Sequence, residues 1–173
     1  MKLSERCQPI ELLLSDIDGV LTDGGVILNN QGIESKEFNI RDGLGIRLFQ
    51  RAGGKFGLVT GRSSHVVKTR AAELEIELIR QGVEDKLAAV KEIAAESNLE
   101  LRQIAYIGDD LPDLAVLMQV GLGVAVGDAC PEMREAAAYV TALPGGRGAV
   151  RETIELILKS QQKWDEIIRK YQG

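Results

Sequence analysis

Short apolar runs alternate along the chain with segments whose apolar residues recur every three or four positions. The compact runs are residues 10–15, 55–60, 104–108 and 122–126, each closing on or against Gly, Asp, Thr or Ser. Unbroken apolar runs of this length predict strands covered on both faces, as in a parallel sheet. Between them, Leu87, Val90, Ile93 and Ala94 share one helical face behind Asp85, a suitable N-cap. Leu111, Leu114, Ala115 and Met118 repeat with the same spacing, as do Val150, Ile154, Ile157 and Leu158. Strands and helices in alternation predict an α/β fold with a doubly wound parallel sheet, one domain over residues 1–173.

Two stretches break the alternation. Beyond Asp18, the turn signals Asp23-Gly24-Gly25 and Asn29-Asn30-Gln31-Gly32 flank short β-prone pieces, predicting a β-hairpin flap over about residues 20–40. In the tail, about residues 161–173, Trp164, Ile167, Ile168 and Tyr171 form an apolar stripe with little obvious core left to cover. That stripe predicts docking on another subunit.

Composition narrows the partners. The chain has 173 residues, with Lys+Arg 21 against Asp+Glu 26 and a net charge of −5. An acidic chain without a Lys/Arg block is a poor match for nucleic acid. No apolar run approaches a membrane span, and the opening MKLSERCQPIELLL lacks a signal peptide's cleavage pattern, so no membrane partner and a cytoplasmic location are expected. Cys7 and Cys130 are too few for a disulfide scaffold or a zinc site.

In a parallel α/β sheet, ligands bind at the carboxyl ends of the strands. Those ends carry Asp16 and Asp18, then Thr60-Gly61-Arg62, Lys86 at a helix start, and Asp109-Asp110 with Asp113. Two like charges 4 Å apart repel by about 4 kcal/mol at an effective dielectric near 20. A divalent cation removes that penalty, and oxygen-only ligands suit Mg²⁺. Carboxylates, a hydroxyl, a lysine and Mg²⁺ together serve phosphoryl transfer. One carboxylate attacks phosphorus, and the Lys and Thr meet the phosphoryl oxygens. Asp18 is placed to protonate the leaving oxygen and then activate water.

The runs Asp16-Ile17-Asp18-Gly19-Val20-Leu21-Thr22-Asp23, Thr60-Gly61-Arg62, Lys86 and Gly108-Asp109-Asp110-Leu111-Pro112-Asp113, in that order, resemble the four motifs of the haloacid dehalogenase superfamily. The likeness is nearest to its cap-less branch. It extends to residues 39–43 and 145–152, and covers nearly the whole chain. The resemblance implies Asp16 as nucleophile and Asp18 as general acid/base. Mg²⁺ would be held by Asp16, Asp109 and the backbone carbonyl of Asp18. Thr60 and Lys86 would bind the phosphoryl group, and Asp110 and Asp113 would shape the surroundings of metal and substrate. The sugar would be met by Asn39, Ile40, Arg41, Asp42 and Gly43 and by Arg47, Arg62 and Arg70.

The implied fold is a small Rossmann-like core with a hairpin and no cap, assembled as a homotetramer in which neighbouring subunits cover the site. The implied reaction is Mg²⁺-dependent hydrolysis of an acidic sugar phosphate, 3-deoxy-D-manno-octulosonate 8-phosphate, through an aspartyl-phosphate. Alternatives are a nine-carbon ulosonic acid 9-phosphate, or a non-catalytic phosphate-binding regulatory module; Arg47 favours the eight-carbon acid. With a net charge of −5, an anionic substrate needs local cations, and Arg47, Arg62, Arg70, Arg147 and Arg151 are available.

Plainer readings cover other features. Asp110 also suits a helix cap, and His65, the only histidine, reads as a rim residue. Residues 121–127 have the wrong glycine spacing for a dinucleotide loop. A phosphorylated receiver module needs an acceptor aspartate where Val59-Thr60 stands.

Overall fold

The computed structural model describes residues 1–173. In chain order the elements are α1 (Leu3–Cys7), β1 (Leu12–Ser15), β2 (Ile27–Leu28), β3 (Glu34–Ser35), α2 (Ile40–Arg51), β4 (Lys55–Val59), α3 (His65–Glu73), β5 (Leu78–Arg80) and α4 (Lys86–Glu96). There follow β6 (Ile104–Gly108), α5 (Leu111–Leu117), β7 (Leu122–Ala125), α6 (Pro131–Ala136), β8 (Tyr139–Val140), α7 (Ala149–Ser160) and α8 (Trp164–Gln172).

Six strands form one sheet in the order β5-β4-β1-β6-β7-β8, every pair parallel. β1 is central, with Ser15 opposite Leu58 on one side and Ile107 on the other. Its side chains alternate between two apolar layers. Leu13 packs in the layer that contains Ile46 and Phe49 of α2 and Ile154 and Ile157 of α7. Leu12 and Leu14 face Val90 and Ile93 of α4 and Val116 of α5. Cover on both faces is why the strands read as unbroken apolar runs. From β1 the chain builds outward through β4 to β5, then returns to β6 on the other flank, so the crevice opens at the carboxyl end of β1.

Three features depart from the sequence pattern. The edge strands β5 and β8 have three and two half-buried residues, too few to show a periodicity. In α5 the expected face is wrong: Leu111 is 57% and Met118 69% exposed, while Asp113, Val116 and Leu117 are buried. The helix is turned to bring Asp113 inward, where its carboxylate accepts from Lys86 and Tyr106. A buried carboxylate without donors is costlier than two exposed apolar side chains. In the tail, Trp164 joins the chain's own core beneath Arg151 and Lys159, whose cationic groups lie 5.2 and 5.4 Å from its ring. Only the later part of the expected docking stripe, Ile168 and Tyr171, is left exposed.

The flap forms as the turn signals predict. β2 and β3 pair antiparallel, and the Asn29 carboxamide oxygen accepts from the backbone N–H groups of Gln31 and Ile33, both at 2.9 Å. Its apolar residues Val26, Ile27, Leu28 and Ile33 are exposed.

Asp42 ties α2 to α7. Its Oδ1 accepts from the Arg151 N–H at 2.8 Å, in the first turn of α7. Burial pushes this carboxyl up to about 6, against the opposing pull of backbone N–H groups at Arg151, Gly148 and Val150. A raised value means the protonated form is favoured in the fold. The associated stability is complete below about pH 4 and is lost as pH rises through 6. Relative to Asp42→Asn, wild type is expected to lose about 2–3 kcal/mol between pH 4 and pH 7 in urea unfolding. A difference that stays constant with pH would refute this.

Candidate active site

Asp16 follows β1 directly and is still held on the sheet, its N–H donating to the Ile107 carbonyl at 3.1 Å. Its Oδ1 accepts from the Ile17 N–H at 2.7 Å and its Oδ2 from Lys86 Nζ at 2.7 Å. Beyond it the loop tightens, with the N–H groups of Val20, Leu21 and Thr22 converging on the Ile17 carbonyl. Gly19 has φ +85°, and a Cβ there would lie 2.0 Å from Asp109 Oδ2. The residue must therefore lack a side chain. The loop is braced from outside: a Cβ on Gly145 would lie 1.8 Å from the Gly19 carbonyl oxygen, and the Gly146 N–H donates to Val20 at 2.8 Å.

Thr60 follows β4 directly, buried, with its N–H on the Arg80 carbonyl at 2.9 Å. Lys86 is the first residue of α4, whose N-cap is Asp85, its carboxylate accepting from the Ala88 N–H at 3.0 Å. Lys86 Nζ also donates to Asp113 Oδ1 at 2.6 Å. The same oxygen accepts from the Tyr106 hydroxyl, and Asp113 Oδ2 accepts from the Asp109 N–H at 3.1 Å. Asp110 caps α5, accepting from the Leu111 N–H at 2.9 Å.

Asp16, Asp109 and Asp113 bring carboxylate oxygens within 4.8 Å of one another around this single lysine. Burial, then repulsion from Asp113, pushes Asp16 up to about 6 against the pull of Lys86. Burial, then repulsion from Asp16 and Asp113, pushes Asp109 up to about 7. Burial pulls Lys86 down, but Asp16 and Asp113 more than offset it and hold it above its ordinary value. The excess negative charge fits a divalent cation. Asp113 accepts from Lys86, Tyr106 and the Asp109 N–H, whereas Asp16 accepts one hydrogen bond at each oxygen and the Asp109 carboxylate accepts none, so Asp109 and Asp16 are the side chains that could hold it. An all-oxygen set of this kind suits Mg²⁺.

A cavity of about 420 Å³ opens over this cluster, lined by Asp16, Asp18, Thr60, Arg62, Lys86 and Asp109 among others. The Asp18 side chain does not join the carboxylate cluster. It pairs with Lys36 from the flap and lies 3.8 Å from Arg62 Nε.

The expected sugar residues lie apart from this cavity within one chain. Asn39 caps α2, Ile40 is 82% exposed, and Arg41 lines a separate cavity with Leu143 and Arg151. Asp42 is committed to α7, and Gly43 packs against Arg70, where a Cβ would meet Nη2 at 2.6 Å. Arg47 is carried two turns along α2 and donates to the Glu73 carbonyl. Arg70 pairs with Glu73 at 3.0 Å and lies over the Phe38 ring. Of these three arginines, Arg62 alone reaches the site. Lys36, Glu34 and Tyr106 escaped the sequence reading. The first two look like ordinary charges of a turn region; Tyr106 is marked only by a hydroxyl in an otherwise apolar strand.

Residues 65–151 match the family model described as haloacid dehalogenase-like hydrolase. The chain belongs to the haloacid dehalogenase-like hydrolases. This hydrolase is 47% identical over 159 residues to the 3-deoxy-D-manno-octulosonate 8-phosphate phosphatase of Yersinia pestis, covering 92% of this chain and 85% of the relative. It superposes with a TM-score of 0.96 on the enzyme of that name from Moraxella catarrhalis, whose crystal structure is a complex with magnesium, phosphate and KDO. Identity there is 42%, covering 98% of this hydrolase and 97% of the other chain. A cobalt-bound deoxy-D-mannose-octulosonate 8-phosphate phosphatase from Haemophilus influenzae matches at 0.89 with 35% identity, over 91% and 92% of the two chains.

The raised carboxyls of the hydrolase set the pH dependence of its cation site. Below about pH 7 a proton occupies Asp109, and below about 6 one occupies Asp16, so a cation must displace them. Mg²⁺ affinity, measured by calorimetric titration, is expected to fall roughly tenfold or more from pH 8 to pH 6. The same affinity at both pH values would contradict this assignment. Gly19→Ala is expected to abolish Mg²⁺ binding in the same titration, because its methyl group occupies the place of Asp109 Oδ2.

Proposed function

We propose that this hydrolase is a Mg²⁺-dependent phosphatase that converts 3-deoxy-D-manno-octulosonate 8-phosphate to the free sugar acid and inorganic phosphate. The observation that carries the reading is the Asp16–Lys86–Asp113 cluster beneath a cavity that also presents Thr60, Asp18 and Arg62. Similarity over most of the chain to phosphatases of that substrate supports it.

The chemistry follows from the placement. A carboxylate oxygen of Asp16 forms a bond to phosphorus as the bond from phosphorus to the sugar's terminal oxygen breaks, leaving an aspartyl-phosphate. Asp18, two residues on, gives its proton to the departing oxygen. In the second half Asp18 takes a proton from water, whose oxygen bonds to phosphorus and releases Asp16. Lys86 and the Thr60 hydroxyl hold the phosphoryl oxygens, while Asp113 and Tyr106 keep Lys86 oriented. Bound Mg²⁺ supplies neutralisation of phosphoryl charge.

Arg62 is the arginine of this chain that lines the cavity, half exposed although it pairs with Glu34, and in this reading it meets the substrate carboxylate. We further propose that the chain works as one cap-less unit in a cytoplasmic homotetramer. In that assembly a neighbouring subunit covers the open cavity and brings residues 39–43, Arg47 and Arg70 toward the sugar. The exposed Val26, Ile27, Leu28 and Ile33 of the flap, with Ile168 and Tyr171 of the tail, are the apolar surfaces such contacts would cover.

Phosphate release from 3-deoxy-D-manno-octulosonate 8-phosphate with Mg²⁺ is the direct test. EDTA is expected to stop it, and Asp16→Asn to lower kcat by at least about 10³-fold. Faster turnover of a nine-carbon ulosonic acid 9-phosphate would transfer the reading to that substrate. A monomer by light scattering at micromolar concentration would rule out the tetramer.

A further inference from the structure

Only two lysines of the chain are not exposed, Lys86 and Lys36. Lys36 is the unexpected one. It stands one residue beyond β3, on a hairpin whose apolar residues face solvent, yet its own side chain is 1% exposed. A buried ammonium requires partners. Its partners are Asp18 Oδ1 and, at 3.1 Å, Glu34 Oε1. Glu34 Oε1 also accepts from Arg62 Nη2 at 2.9 Å, and Arg62 Nε lies 3.8 Å from Asp18 Oδ2. The four groups close a ring with no net charge. Asp18 and Arg62 belong to the body of the protein; Glu34 and Lys36 belong to the flap.

This ring does two jobs. The apolar residues at the ends of the flap, Val20, Leu21 and Phe38, pack on the core, but its two strands are fastened to the body by charge: Lys36 to Asp18, Glu34 to Arg62, and Glu37 to Arg147 at 3.0 Å. The ring also supplies the only hydrogen bond that the Asp18 carboxylate accepts, which comes from Lys36. Asp16, by contrast, is pinned by a backbone N–H and by Lys86. Proton transfer demands that the acid lie within hydrogen-bond reach of the leaving oxygen, and a misplacement of about 1 Å can lower a rate about 10²-fold.

We propose that Lys36, backed by Glu34, is a positioning residue that orients the Asp18 carboxylate, so that the leaving oxygen is protonated only when the flap is seated. Lys36 acts through Asp18 and does not touch the phosphoryl group. The inference rests on the role given to Asp18 under the phosphatase reading.

The test compares wild type, Lys36→Met and Lys36→Arg on two substrates in a single turnover with Mg²⁺. The sugar acid 8-phosphate has an alkoxide leaving group that needs a proton. p-Nitrophenyl phosphate has a leaving group that departs without one. Lys36→Met is expected to slow the first-turnover release of the sugar on the order of 10²-fold. Its p-nitrophenolate release should stay within about threefold of wild type and its KM for the sugar acid phosphate should change little, with Lys36→Arg recovering part of the loss. Equal slowing of both substrates, a loss confined to KM, or no loss would overturn the proposal while leaving the phosphatase reading intact. Wild type inert on both substrates would remove that reading and this inference with it.

Discussion

Three carboxylates packed around one buried lysine form the constraint on which the rest of the molecule depends. Asp16, Asp109 and Asp113 carry more negative charge than Lys86 can balance, and burial makes the imbalance costly. The fold accepts that strain at one place only, the carboxyl end of its central strands. β1 and β6 place Asp16 and Asp109 side by side, α4 delivers Lys86 from its first turn, and α5 is rotated to bury Asp113. Tyr106, rooted in β6, gives the deepest carboxylate a second donor. A site built this way suits a cation, which relieves the excess negative charge, and a phosphoryl group, which Lys86 can meet beside its carboxylates.

Much of this was legible along the chain, and what was not has a physical explanation. The four central strands stood out because cover on both faces makes them unbroken apolar runs. The order Asp16-x-Asp18, Thr60, Lys86, Asp109 pointed to one rim because a parallel sheet gathers its strand ends there. β5 and β8 were invisible because two or three half-buried residues hold no period. The buried face of α5 is not the one its apolar spacing predicts, because the hydrogen bonds of Asp113 to Lys86 and Tyr106 pull it inside. Lys36 and Glu34 gave no signal at all, since their partners lie across a loop whose geometry no periodicity records. The sugar-side residues were grouped by likeness, yet within one chain Arg47 and Asp42 are engaged in holding helices together.

The flap shows how a small chain manages without a lid domain. Its hairpin strands turn apolar side chains outward and are fixed inward by charged pairs, while Val20, Leu21 and Phe38 at its ends pack on the core, so the seating of the hairpin itself is electrostatic. Such an attachment is sensitive to salt and to the neighbouring surfaces that complete it, unlike a hydrophobic docking of the same area.

The approach of Gly19 to Asp109 bears on how the chain acquires its site during folding. The two residues are far apart in sequence, and the carboxylate can lie against that bare backbone only once β1 and β6 are neighbours. A cation-binding arrangement therefore exists only in molecules whose sheet has closed at its centre; partly folded chains lack it. Mg²⁺ that binds the native state alone must then stabilise it against unfolding by mass action, so that the metal level of the surroundings bears on how much of the chain is folded as well as on its chemistry.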